Sequence, residues 1–204
     1  GFHENLASAK AIEAYHKMGQ KGEIGIILNL TPSYPRDETN PEDVKAARIA
    51  DAFFNRSFLD PTVKGEFPSE LVAIVKELAI MPEMGPDDLT IIKENTIDLL
   101  GINYYQPRRI KAKETPIDHQ NGPMPEDYFD YYDMPNKKMN IYRGWEIYEK
   151  GIYDILTNTR ENYGNIKCYI SENGMGVEGE ERFVNSEGVI EDDYRITFVT
   201  DHLK

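Results

Sequence analysis

The 204-residue chain carries 36 acidic against 23 basic side chains, a formal charge of −13, which argues against a nucleic-acid surface built on Lys and Arg. Hydrophobic residues make up 40% and charged residues 29%, a globular composition, and no stretch approaches the roughly 20 apolar residues of a membrane span. Cys168 is the single cysteine, which excludes an intrachain disulfide and points to a reducing cytoplasm; no signal peptide is visible. The chain opens on Gly1 rather than Met, so these residues are expected to have been cut from something longer.

Apolar residues at Leu6, Ala9, Ile12, Ala14 and Tyr15 recur at helical spacing and predict a helix over Glu4–Lys17, broken by Gly19 and Gly22. The run 24–30 (Ile-Gly-Ile-Ile-Leu-Asn-Leu) is apolar on both faces and predicts a strand of a parallel sheet covered on two sides. Asn40-Pro41-Glu42-Asp43 reads as an N-cap, a proline at the first helical position and an acidic first turn. The helix it opens is expected to reach about Leu59, where Pro61 stops it. Two further helices are predicted over Pro68–Met81 and Asp87–Glu94, then a second strand over Ile97–Tyr105. From Gln106 to Gly144 the chain shows neither helical nor strand period, as a long functional or disordered loop would. Helical spacing resumes over Trp145–Tyr163, and a third strand, Lys167–Ser171, ends at Glu172-Asn173-Gly174. A glycine-rich acidic loop, Met175–Gly188, leads to a last helix over Asp192–Leu203.

Such alternation predicts an α/β fold of parallel strands joined by helical crossovers. Neither a dinucleotide-type glycine turn nor a phosphate loop follows any strand, which weighs against a doubly wound nucleotide-binding sheet. Three strands cannot close a barrel, so a barrel here would be an excerpt of one.

Chemistry in parallel α/β folds gathers at the carboxyl ends of strands. Strand alternation sends Asn103 and Tyr105 to one face and Tyr104 to the other. On its own this pair reads as a turn residue beside a packing aromatic, and Glu172 as a solvated acid opening a surface turn. Together the two strand ends offer more: a carboxylate nucleophile needs a donor to orient it, and a phenol is such a donor. Glycoside hydrolysis is built on carboxylates of this kind.

The segments Gly101-Ile102-Asn103-Tyr104-Tyr105 and Tyr169-Ile170-Ser171-Glu172-Asn173-Gly174 resemble glycoside hydrolase family 1, the β-glucosidase family. So do Gly144-Trp145-Glu146-Ile147-Tyr148, Gly151-Ile152-Tyr153-Asp154-Ile155-Leu156 and Asp192-Asp193-Tyr194-Arg195-Ile196. Ala52-Phe53-Phe54-Asn55-Arg56 and Gly65-Glu66-Phe67-Pro68 fit in the same order, and Asn103-Tyr104-Tyr105-Gln106-Pro107-Arg108-Arg109 looks most like the bacterial 6-phospho-β-glucosidases.

The resemblance implies a (β/α)8 TIM barrel, a single domain of which residues 1–204 cover about strands five to seven. It implies a retaining double displacement in which Glu172 attacks the anomeric carbon and Tyr105 hydrogen-bonds Glu172. Asn103 is expected to frame the glycone and Trp145 to stack on the aglycone, though Trp145 equally fits a core aromatic anchoring the helix after it. The family's acid/base glutamate lies in an Asn-Glu-Pro motif on strand four; no such motif occurs here, and the strand-eight segment is also missing. The fragment alone is therefore expected to be inactive. The substrate implied is a phosphorylated β-glucoside in the cytoplasm, with no cofactor or metal, no nucleic acid and no membrane partner, and a homo-oligomer left open. Alternatives are a β-glucosidase for unphosphorylated glucosides, a 6-phospho-β-galactosidase, or a barrel that binds carbohydrate without cleaving it. His3, His16, His119 and His202 lack metal-ligand spacing and are expected on helix surfaces or loops. Glu178, Glu180 and Glu181 read as a solvated acidic loop. Arg108 and Arg109 either attract a phosphate or pair with surface carboxylates.

Overall fold

An apolar strand buried by helices on one side needs those helices close in sequence, and the chain supplies them between successive strands. The computed structural model describes residues 1–19, 21–116 and 122–204. Helix α1 (Phe2–Lys17) precedes strand β1 (Gly25–Asn29) and a short strand β2 (Ser33–Pro35). Helix α2 (Pro41–Asp51) runs through a π-helical turn, Ala52–Arg56, into α3 (Ser57–Lys64). After α4 (Ser69–Glu77) and α5 (Asp88–Glu94) come β3 (Leu99–Asn103) and β4 (Arg108–Lys111). Short strands β5 (Asp130–Tyr131), β6 (Met139–Asn140) and β7 (Trp145–Glu146) lead to α6 (Lys150–Asn162), β8 (Cys168–Glu172) and α7 (Asp193–His202).

The three predicted strands form one parallel sheet in the order β1-β3-β8. Alternation decides its two faces. Leu28, Leu100, Ile102 and Tyr104 point to the helices and pack with Ile12, Leu59, Ile152, Ile155 and Tyr163. Tyr104, fully buried, donates its hydroxyl to the Tyr148 carbonyl at 2.6 Å. Gly151 makes that possible, because a Cβ there would lie 2.0 Å from the same hydroxyl. The opposite face stays open: Ile27 is 52% and Tyr169 46% exposed.

Pro61 does not stop the second helix, contrary to expectation. Proline removes the N–H that would bond the carbonyl of Ser57 four residues back. The side-chain amide of buried Asn5 on α1 donates to that carbonyl at 3.0 Å and replaces the lost bond. The helix ends instead at Gly65, which takes φ 74° and donates to Pro61, a left-handed C-terminal cap.

The stretch Gln106–Gly144 also differs from expectation. Strand β4 pairs parallel to β2 and antiparallel to β5, making a second small sheet, and β6 and β7 form a hairpin. Ile110 and Phe129, both fully buried, pin this sheet to Ala46, Ala47 and Ala50 of α2. Trp145 accordingly sits on a hairpin strand, and the helix predicted from it begins at Lys150. His202 is buried rather than on a helix surface: its Nδ1 meets the Phe198 carbonyl at 2.7 Å, and its ring packs on Phe198. His3 and His16 are exposed, His16 beside Asp98, whereas His119 lies outside the described residues. No helix among the described residues is long and apolar enough to cross a membrane.

Candidate active site

The carboxyl ends of β3 and β8 lie side by side, with Asn103 and Glu172 as register partners. Backbone bonds lock the two ends: Leu30 N donates to Asn103 O and Tyr104 N to Glu172 O, each at 2.9 Å. The Asn173 amide adds a bond to the Tyr104 carbonyl at 2.8 Å. On this frame the Tyr105 hydroxyl donates to Glu172 Oε2. That bond raises the Tyr105 phenol above its ordinary value, with a smaller push from burial, so it stays protonated as a donor. Two side chains 67 residues apart in sequence thus meet on the open face of the sheet.

Strict alternation would not have brought Glu172 there. Tyr169 and Ser171 face the open side, so a regular strand would send Glu172 with Ile170 toward the helices. The pairing jumps from Ile102↔Ile170 to Asn103↔Glu172, leaving Ser171 as the extra residue of a β-bulge. A bulge turns the following side chain to the other face. Ser171 and Glu172 therefore both reach the open face, and Ser171 Oγ donates to Asn103 Oδ1 at 2.6 Å. Neither Ser171 nor the bulge carries a sequence signal, since one inserted residue in a strand leaves no compositional mark.

Trp145 enters from the β6–β7 hairpin, its ring 5.7 Å from that of Tyr105. It is half-buried and lines the cleft with Tyr105, Glu172, Asn173, Met175 and Arg143. The hairpin is tied to the loop after β8 by buried Asn140, whose amide donates to the Gly176 carbonyl at 3.1 Å. Arg143 passes directly over Gly176, where a Cβ would lie 2.4 Å from its Nε.

Arg109 makes a two-point ion pair with Glu146, at 3.1 and 2.6 Å, and its guanidinium packs against the rings of Tyr34 and Tyr148, 4.9 and 4.5 Å from their centres. Arg108 bonds the Thr31 carbonyl and packs over Phe54 at 4.0 Å. Both serve the small sheet and its neighbours. In the acidic loop, Glu180 pairs with Arg195 of α7. Among the described residues no three His, Cys, Asp or Glu side chains converge as a metal site.

A family model described as glycosyl hydrolase family 1 matches residues 1–204. The chain is 66% identical over 205 residues to 6-phospho-beta-glucosidase GmuD of Bacillus subtilis (strain 168), covering 100% of this chain and 44% of that protein. It is 33% identical over 223 residues to a 6-phospho-beta-galactosidase of Staphylococcus aureus (strain Newman), covering 98% of this chain and 46% of that one. The crystal structure of a beta-glucosidase from Exiguobacterium marinum superposes with a TM-score of 0.80 at 27% identity, over 99% of this chain and 43% of that one. The chain thus spans under half the length of these relatives.

Proposed function

The chain belongs to glycosyl hydrolase family 1 and folds as part of its (β/α)8 barrel, and from that premise we propose that the intact protein hydrolyses 6-phospho-β-glucosides with retention, through Glu172. The observation that carries this reading is the hydrogen bond from Tyr105 to Glu172 across two neighbouring strand ends. Held at Oε2, the carboxylate presents Oε1 to the anomeric carbon. In the first displacement the Oε1–carbon bond forms and the bond to the leaving oxygen breaks, that oxygen taking a proton from a second carboxyl. In the second, water attacks the same carbon, its proton returns to that carboxyl, and the ester to Glu172 breaks. Tyr105 stabilises the carboxylate as it re-forms. Trp145 offers a flat apolar face to the leaving group, and Asn103 borders the glycone. The reading assigns residues 1–204 to strands five to seven of one barrel domain and places the second carboxyl outside them. The reaction so described uses two carboxyls and water, and calls for no cofactor or metal. A sugar phosphate is too polar to cross a membrane, so the proposed site of action is the cytoplasm.

The phosphate assignment rests on the 66% identity to a relative named as a 6-phospho-beta-glucosidase. Parallel assays of the intact protein on 4-nitrophenyl β-glucoside with and without the 6-phosphate test it. A phosphate held by two charge-assisted hydrogen bonds gains about 3 kcal/mol or more, so kcat/KM is expected to favour the phosphorylated glucoside by about 100-fold. Equal or better turnover of the plain glucoside overturns the phosphate assignment. Faster cleavage of the 6-phospho-galactoside moves the substrate to the galacto series.

A further inference from the structure

The open end of the sheet holds one polar contact that the proposed displacement does not use. Ser171 Oγ donates to Asn103 Oδ1 at 2.6 Å, and the bulge that turns Glu172 inward keeps Ser171 on the same face. A carboxamide has one accepting and one donating end, and a hydroxyl fixed on its oxygen settles which end faces outward. With Oδ1 engaged by Ser171, the Nδ2 group of Asn103 has no hydrogen-bond partner among the described residues. Gly101 lies one step earlier on this face, where an added Cβ would come 3.3 Å from Ser171 Oγ and 2.7 Å from the Ile27 side chain. The absence of a side chain at Gly101 therefore leaves room for Ser171 to lean toward Asn103.

We propose that Ser171 is a positioning residue: its hydroxyl locks the Asn103 carboxamide with Nδ2 as the donor facing the substrate, level with Glu172. The inference rests on the reading of Glu172 as nucleophile and adds the means by which its register partner is oriented. One bulge then does two jobs, since the same extra residue that turns the carboxylate to the cleft also orients the amide across from it. An Asn103 free to rotate would also present its oxygen to the substrate, and a sugar hydroxyl held by Nδ2 would then lose a donor.

The test is a double-mutant cycle in the intact protein, read by steady-state kinetics on the phosphorylated aryl glucoside. Ser171→Ala is expected to lower kcat/KM between about 10- and 100-fold, the scale of a misplaced binding group. Ser171→Thr, which keeps the hydroxyl and so the contact to Asn103, is expected to stay within about twofold of the parent. In an Asn103→Ala background, Ser171→Ala is expected to cost nothing further, because its effect runs through Asn103. Ser171→Cys, close in size but a weak donor, covers the case in which the alanine variant fails to fold, and is expected to lose activity as alanine would. Full activity in either Ser171→Ala or Ser171→Cys overturns the proposal. So does an equal loss in both backgrounds, which would mark Ser171 as acting independently of Asn103. Glu172→Gln run alongside separates the two readings: an active Glu172→Gln removes the nucleophile, whereas an inactive one with an unaffected Ser171→Ala removes the positioning role alone.

Discussion

Glu172→Gly in the intact protein is expected to lose hydrolysis of its glycoside by roughly 10⁴- to 10⁶-fold, the scale on which removing a nucleophile acts. The loss should leave the fold in place, because Glu172 is exposed and its side chain holds no element together beyond the Tyr105 contact. Removing the carboxylate opens space directly below the anomeric carbon. Added azide or formate can occupy it and attack from the same side as the missing oxygen. Turnover is therefore expected to return with azide, and the product should be the α-glycosyl azide, since only one displacement then occurs. Azide-independent activity near that of the parent would show that another group attacks. Recovery with the β-azide as product would place the anion on the wrong face and contradict the geometry equally.

Glu146→Ala is expected to have the largest effect on stability, roughly 3–5 kcal/mol, by leaving a buried guanidinium without its counter-charge. The Arg109 and Glu146 side chains retain only 12% and 8% of their exposure. Burial works to lower the Arg109 guanidinium, and the hydrogen bonds and charge of Glu146 outweigh it, so its affinity for the proton is raised. The pair joins β4 of the small sheet to β7 of the hairpin that carries Trp145. Its loss should therefore lower the melting temperature by several degrees and also weaken the aromatic wall of the cleft. Replacing both partners by apolar residues, Arg109→Met with Glu146→Leu, should recover most of the stability, because no unpaired charge is left behind. An unchanged melting temperature for Glu146→Ala would mean that the pair contributes nothing.

The sheet that carries the site was legible because its strands are nearly continuous apolar runs, such as residues 24–30, and because capping residues such as Asn40 and Pro41 mark helix starts by local chemistry. The small sheet was not, because its strands are two to four residues long and form only through partners far away in the chain, as Ile110 with Tyr131. Pro61 misled for a related reason: the amide that replaces its missing bond comes from Asn5, 52 residues before the Ser57 carbonyl that it caps. Trp145 shares helical spacing with the residues that follow, and only pairing with Asn140 reveals a hairpin strand. His202 is buried by Phe198 and Tyr104, a contact that polarity alone does not announce. At the site, the meeting of Tyr105 and Glu172 was foreseeable from two strand ends, yet alternation alone would have pointed Glu172 away from the cleft. The bulge at Ser171 corrects this, and a bulge is a property of pairing rather than of composition.

Trapping the covalent intermediate tests the nucleophile most directly. A 6-phosphorylated 2-deoxy-2-fluoro-β-glucoside with a good leaving group slows both displacements and the second more, so label should accumulate on the intact protein. Digestion after Lys167 and Arg182 should then place the added sugar mass on the peptide 168–182, with fragmentation assigning it to Glu172. Sugar attached to any other residue, or complete turnover by inversion with no labelled protein, would contradict the account.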